Sequence, residues 1–242
     1  GFPDSKGMNP GIVLQVLAPV LKGLDDPTVA IDGQHIDAIV SRMIETESYD
    51  LEASVRTPSF CPGCPHRDSA SVLNKIIDDF ENTDYMRSQH DQDPVSLIFH
   101  GDIGCYSLLK YEPFDRLMHN LSGMGLGGGT GAGIDPFINN KQLVFMGDST
   151  FFHSGMTAIS DAIKHGQDIT FVILDNKTTA MTGHQPTPGV DIDIMGQPTF
   201  AQDIEEVVRG LGGGIEAHAP AIIVRMNPSD REAYRDVLEA AL

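Results

Sequence analysis

Asp148 and Asn176 stand 28 residues apart, each in a short polar run behind an apolar one. Gly147-Asp148-Ser149-Thr150 follows Gln142–Met146, and Asp175-Asn176-Lys177-Thr178 follows Ile169–Leu174. A carboxylate and an amide oxygen are hard donors that suit Mg²⁺, which takes a few protein oxygens and completes its octahedron with phosphates and water. The backbone carbonyl of Thr178 is a candidate third ligand. Gly147, Ser149 and Thr150 are small and leave backbone N–H groups open near a helix start, where a phosphate is favoured. The chemistry this combination serves is the holding of a diphosphate through a divalent cation. The bland alternative is an Asp capping a helix and an Asn in a turn.

Three further sets of side chains have chemical potential. Cys61 and Cys64 form a Cys-x-x-Cys pair inside a turn punctuated by Pro58, Pro62, Gly63 and Pro65, and Cys105 lies in the glycine-flanked run Gly101–Cys105. Three thiolates suit an iron–sulfur cluster or a zinc ion, each of which wants a fourth ligand, or they form an empty structural or redox motif. His66, His153 and His184 are candidate proton relays, set against the commoner case of a histidine that only hydrogen-bonds. Lys177 reads as a contact to solvent or to a substrate carboxylate. The glycine run 123–133 contains a Gly-x-Gly-x-x-Gly match. No clear strand precedes it and no acidic residue ends a strand at the right distance, so it reads as a tight loop and a glycine-rich helix packed on another backbone.

The elements that must position these residues form a strand–helix–strand unit. Gln142–Met146 predicts a strand, His153–His165 a helix and Ile169–Leu174 a nearly all-apolar buried strand. A helix of ~13 residues covers ~20 Å and a strand of ~6 residues returns ~20 Å, so Asp148 and Asn176 should emerge side by side at the carboxyl ends of their strands. That edge is where open α/β sheets bind ligands. A helix over Phe200–Leu211 and a strand over Ala221–Met226 continue the alternation, and the expected fold is a parallel sheet flanked by helices. Upstream, Ser69–Phe80 predicts a helix and Val95–His100 a strand. Val13, Val16, Leu17, Val20 and Leu21 make one helical face behind the cap pair Asn9-Pro10, with Pro19 expected to kink or shorten it. Residues 25–52 hold eight acidic side chains and one basic, and read as a solvated arm. The division expected is an arm over 1–56 and a cofactor-binding domain over 57–242.

Composition narrows the function. The chain has 242 residues, 40% of them apolar, with 16 Lys and Arg against 34 Asp and Glu for a net charge of −18. Such a charge repels nucleic acid and anionic membrane surfaces. No apolar run approaches the ~18–20 residues of a membrane span. Three cysteines make no disulfide framework and suggest a reducing, cytoplasmic setting. The opening without Met and the helix-like ending suggest a piece of a longer polypeptide.

A Gly-Asp pair followed about 28 residues later by Asn is the spacing of thiamine diphosphate sites. Four blocks extend the match: Phe60-Cys61-Pro62-Gly63-Cys64-Pro65-His66-Arg67, His100–Cys105, Gly147–Gly155, and Leu174–Gly189. In this order they resemble the thiamine diphosphate domain of the 2-oxoacid:ferredoxin oxidoreductases, and among these the large subunit of the indolepyruvate type. The opening Gly1-Phe2-Pro3 with Met8 and Asn9 is similar to the linker before that domain. The resemblance implies oxidative decarboxylation of a 2-oxoacid, transfer of the acyl group to coenzyme A, and electrons passed through a 4Fe–4S cluster to ferredoxin. It implies cofactor contacts from Cys64, His66, Ile103, Gly104, Cys105, Gly147, Asp148, Ser149, Thr150, Asn176, Thr178, Thr179, Ala180 and Met181. It assigns Asp148, Asn176 and Thr178 to Mg²⁺, and Cys61, Cys64 and Cys105 to the cluster, whose fourth ligand lies outside this chain. It places the Glu that activates the cofactor in another domain or subunit, so the cofactor should sit at an oligomer interface. Ile103 and Phe60 are expected to shield the cluster from water. Phe151, Phe152 and Met181 either line an aryl pocket or belong to the core.

Overall fold

The computed structural model describes residues 9–24, 28, 30–49, 54, 56–212 and 221–242. The linker-like opening at Gly1-Phe2-Pro3 and Met8 lies outside them. The chain divides into two compact units, 1–56 and 57–242.

In the first unit α1 (Pro10–Lys22) begins where the sequence predicts. Asn9 Oδ1 accepts the Ile12 N–H at 2.9 Å, and Pro10 takes the first helical position, where its missing N–H costs nothing. The helix runs on through Pro19 to Lys22, so the proline does not end it. The acidic stretch is not merely a solvated arm. It contains α2 (Gly33–Glu47), capped by Asp32, with Ile36, Val40 and Met43 half-buried at helical spacing and the charges turned outward. Lys22 Nζ reaches Asp37 at 2.7 Å, an exposed pair worth little.

The second unit is built on four parallel strands in the order β2-β1-β3-β4: β1 (Ile98–Gly101), β2 (Asn120–Leu121), β3 (Gln142–Gly147) and β4 (Ile169–Leu174). Alternation along β3 feeds both faces. Leu143 and Phe145 join a core with α3 (Pro65–Phe80), α4 (Thr83–Gln89) and α9 (Arg231–Ala241). Val144 and Met146 point the other way, towards α5 (Gly127–Ile134), α7 (Met156–His165) and α8 (Ile204–Leu211). The glycine run is a loop and helix packed on backbone, as expected. A Cβ on Gly127 would stand 2.9 Å from the Gly101 carbonyl carbon, and one on Gly131 would press on His100 and Val144.

Several boundaries move for local reasons. Helix α3 starts at Pro65 rather than Ser69, because proline suits the first turn. Strand β1 starts at Ile98 rather than Val95, whose N–H bonds back to Phe80 O at 3.0 Å. Helix α8 starts at Ile204 behind the Asp203 cap, which leaves Phe200 outside it and exposed. The strand expected over Ala221–Met226 does not form, since a strand exists only by pairing and this stretch pairs with none of the described strands. Strand β4 is accordingly half-buried along its length, not fully buried.

Candidate functional site

The register pairs Gly147 with Leu174, so β3 and β4 end level. Asp148, the first residue of a short helix α6 (Asp148–Thr150), is 2% exposed. Its carboxylate accepts the Thr187 hydroxyl at 3.1 Å. Asp148 and Asn176 therefore leave the same edge of the sheet. Burial pushes the Asp148 carboxyl up, with Asp175 adding to the rise. No described Lys or Arg pairs with it, and Lys177 Nζ lies 3.0 Å from Asp175 instead. Asn176 Oδ1 accepts the Thr178 N–H at 3.1 Å, shaping the loop so that Asn176 stays exposed. Ser149 Oγ lies 2.8 Å from Thr179 Oγ1, which ties this loop to the hairpin of β5 (Thr178–Thr179) and β6 (Gln185–Pro186). Ala180 and Met181 follow on a 3₁₀ turn, Met181 60% exposed.

A buried carboxylate beside a second carboxylate, with an amide and hydroxyls around it and no cation paired to it, has the donor chemistry of a Mg²⁺–diphosphate site. The residues present fit that group.

The region after Asp148 differs from expectation. Its helix does not begin at His153, because a π-helical turn spans Phe151–Gly155 between α6 and α7. His153 sits on that turn, exposed, with Nδ1 2.8 Å from Ser154 Oγ. Phe151 is fully buried with Met146, Ile159 and Ile204, so it is core and lines no substrate pocket. Phe152 is half-buried. His184 is exposed, with a left-handed φ of 61° and its N–H on Thr179 O. His66 packs edge-on to Phe60, and burial holds its pKa below the usual value. None of the three histidines has a described hydrogen bond to Asp148 or Asn176.

Cys61 and Cys64 lie in the turn before α3, and Cys105 opens the 3₁₀ turn after β1. The Cys64 N–H closes a turn on Cys61 O at 3.1 Å, and Gly63 supplies the φ of +73° that turn needs. Cys105 is half-buried; burial pushes its thiol up, and Cys64 and then Cys61 add to the rise. Among the described residues no three His, Cys, Asp or Glu side chains close on one point as a metal centre. Phe60 is buried, whereas Ile103 is 50% exposed.

Sequence reasoning missed Tyr106 and Thr187 and gave Asp102 no role. All three are buried. Asp102 follows the end of β1 as Asp148 follows the end of β3, and that parallel was the available signal.

Residues 102–242 match the family described as thiamine pyrophosphate enzyme, C-terminal TPP binding domain. The chain is similar to the indolepyruvate oxidoreductase subunit IorA of Methanothermobacter thermautotrophicus, 40% identical over 82% of this chain and 29% of that protein. It is also similar to IorA of Archaeoglobus fulgidus, 33% identical over 82% of this chain and 28% of that protein. IorA of Thermococcus kodakarensis is 30% identical over 81% and 29%. The chain thus spans under a third of the length of these relatives. Among solved structures, a 2-oxoglutarate:ferredoxin oxidoreductase from Magnetococcus marinus, with 2-oxoglutarate, coenzyme A and succinyl-CoA bound, shares the fold. Its TM-score is 0.54 at 16% identity, over 79% of this chain and 62% of that one. With the model match covering more than half of its residues, the chain belongs to the thiamine pyrophosphate enzymes and carries their C-terminal cofactor-binding domain.

Proposed function

We propose that residues 57–242 hold thiamine diphosphate and Mg²⁺ for a 2-oxoacid:ferredoxin oxidoreductase, with 1–56 as an arm leading into that domain. The observation that carries the reading is Asp148, buried with no cationic partner among the described residues, at the level ends of β3 and β4 where Asn176 also emerges. Asp148, Asn176 and the Thr178 carbonyl would hold the metal, while Gly147, Ser149, Thr150, Thr179, Ala180 and Met181 surround the cofactor. When bound, thiamine diphosphate supplies the carbon that stabilises the charge left by decarboxylation. Ile103, Gly104 and Cys105 approach from the neighbouring strand end. Burial lowers the His66 pKa and so favours its neutral form; His66, His153 and His184 stay as candidate relays.

Cys61, Cys64 and Cys105 are proposed ligands of a 4Fe–4S cluster. Burial, with Cys64 and Cys61 adding to it, raises the cost of the Cys105 thiolate, which iron would offset. The relatives named indolepyruvate oxidoreductase support an aryl 2-oxoacid as substrate. Coenzyme A as acyl acceptor and ferredoxin as electron acceptor are proposed on the resemblance of the motifs. The activating Glu is proposed to come from another domain or subunit of an oligomer. Three free thiols accord with the cytoplasm, and no described helix is long and apolar enough to cross a membrane.

A non-oxidative thiamine enzyme is the second reading, favoured by the failure of the three sulfurs to close on one point. Thiamine, magnesium and iron measured in the purified intact complex separate the two. Thiamine with about four irons per site is expected. Thiamine without iron selects the second reading, and no thiamine refutes both.

A further inference from the structure

Tyr106 touches both loops that the proposed cofactor needs. It follows Cys105 on a 3₁₀ turn and is 1% exposed. Its hydroxyl donates to Asp102 Oδ1 and lies 3.0 Å from Thr150 Oγ1 and 3.2 Å from the Ile103 carbonyl. Thr150 in turn donates to the same Ile103 carbonyl at 3.1 Å. On its far side Asp102 Oδ2 accepts the N–H groups of Gly125 and Gly127, at 3.1 and 3.4 Å. One hydroxyl thus joins the loop after β1, the glycine loop before α5 and the start of α6.

The ring has a matching part. A Cβ on Gly104 would collide with it, and a Cβ on Gly147 would stand 3.3 Å from its Cε1. Gly104 has φ 176°, an extended conformation open to any residue, so what forbids a side chain there is the ring and not the backbone. The glycine beside Cys105 and the glycine beside Asp148 both make room for the same tyrosine.

We propose that Tyr106 is a positioning residue, a keystone that fixes the Ile103–Cys105 loop against the Gly147–Thr150 loop and thereby sets the geometry of the diphosphate site. This rests on the thiamine diphosphate reading above. It acts through Gly147 and Thr150, whose backbone flanks Asp148.

The test is calorimetric titration of the metal-free, cofactor-free intact complex with thiamine diphosphate in excess Mg²⁺. Tyr106→Phe keeps the ring and removes the hydroxyl. Its affinity should fall about fivefold, ~1 kcal/mol, the scale of one hydrogen bond. Tyr234→Phe alters another buried tyrosine, on α9, and should bind as wild type whatever stability it loses. Should Tyr106→Phe fail to fold, Gly104→Ala serves instead: its Cβ displaces the ring, so binding should weaken, whereas Gly129→Ala, whose Cβ meets nothing within 4 Å, should bind as wild type, and wild-type affinity in Gly104→Ala overturns the keystone. Wild-type affinity in Tyr106→Phe, or an equal loss in Tyr234→Phe, overturns the keystone while leaving the cofactor reading intact. A wild-type complex that binds no thiamine diphosphate overturns both.

Discussion

Asp102 and Asp148 are twins by position and opposites by circumstance. Each follows the carboxyl end of a parallel strand, β1 or β3, and each is buried, at 0% and 2% exposure. Burial pushes both carboxyls up. The difference lies in what surrounds them. Every other influence on Asp102 is a neutral donor: Tyr106, Gly127 and Gly125. Those donors come from two separate segments, the turn after β1 and the glycine loop, so Asp102 is a closed internal junction. Asp148 has a donor in the Thr187 hydroxyl, but Asp175 presses a second negative charge on it. Desolvation is common to both, and only at Asp148 is a cation the natural completion. A buried carboxylate by itself therefore says little; its residual charge balance separates scaffold from site.

The largest effect that would break this comparison is on folding. Asp102→Ala strips partners from two buried glycine N–H groups and the Tyr106 hydroxyl. Urea unfolding of the metal-free protein should show a loss of ~2–4 kcal/mol, since each orphaned buried donor costs ~1–3 kcal/mol and some relax. Asp148→Ala should cost the metal-free protein less, because relief of the repulsion with Asp175 offsets the lost hydrogen bond. Equal losses would mean that both carboxylates are structural.

The legible part of the sequence and the illegible part divide along similar lines. β3 and β4 were readable because apolar runs of the right length bracket a helix, and Asp148 and Asn176 followed from length matching alone. Ala221–Met226 has equally strand-like residues but no strand partner, and pairing is a tertiary fact that periodicity does not carry. The helix over Gly33–Glu47 was hidden because acidic density masked the spacing of Ile36, Val40 and Met43. Phe151 and Phe152 read equally as pocket or core in the sequence. Phe151 sits on the π-helical turn and is core. Tyr106 could not be found from its own position, since its meaning depends on two glycines, one of them 41 residues away.

The next effect is on binding. Asp148→Ala should weaken thiamine diphosphate binding in Mg²⁺ by at least about tenfold, ~1.4 kcal/mol, because the remaining neutral oxygens cannot replace the lost charge. The pH dependence sharpens this. The Asp148 pKa is raised in the folded metal-free protein, so its contribution to stability is fully present below the unfolded value and is lost as pH rises through the folded one. Mg²⁺ reverses the preference by holding the charged form. The extra stability conferred by Mg²⁺ should therefore disappear on acidification at a pH above the ordinary Asp value of ~3.9. Asp102 meets no metal, so its raised pKa cancels in the difference between melts with and without Mg²⁺. A Mg²⁺ increment that persists down to the ordinary carboxylate range, or unchanged affinity in Asp148→Ala, would remove Asp148 from the metal site.

The smallest expected effect on cofactor binding comes from Cys105. It lies three residues beyond Asp102 and immediately before Tyr106, so the junction carries it, but its sulfur takes no part in that network. Burial raises its pKa, with Cys64 and then Cys61 adding to the rise, and all three thiols are free. Cys105→Ala removes a sulfur and leaves the backbone on which Tyr106 depends. Thiamine diphosphate affinity should stay within about twofold of wild type, inside the ~0.5 kcal/mol expected of a substitution that breaks no packing or hydrogen bond. Bound iron and ferredoxin reduction should both be lost, because a 4Fe–4S cluster rarely survives on two of its thiolates. Iron analysis and calorimetry on the same preparation read the two properties separately. Retained iron would exclude Cys105 as a ligand. Loss of both iron and cofactor affinity would show that the cysteine loop is part of the junction itself, and the contrast between a closed scaffold around Asp102 and an open site around Asp148 would have to be redrawn to include it.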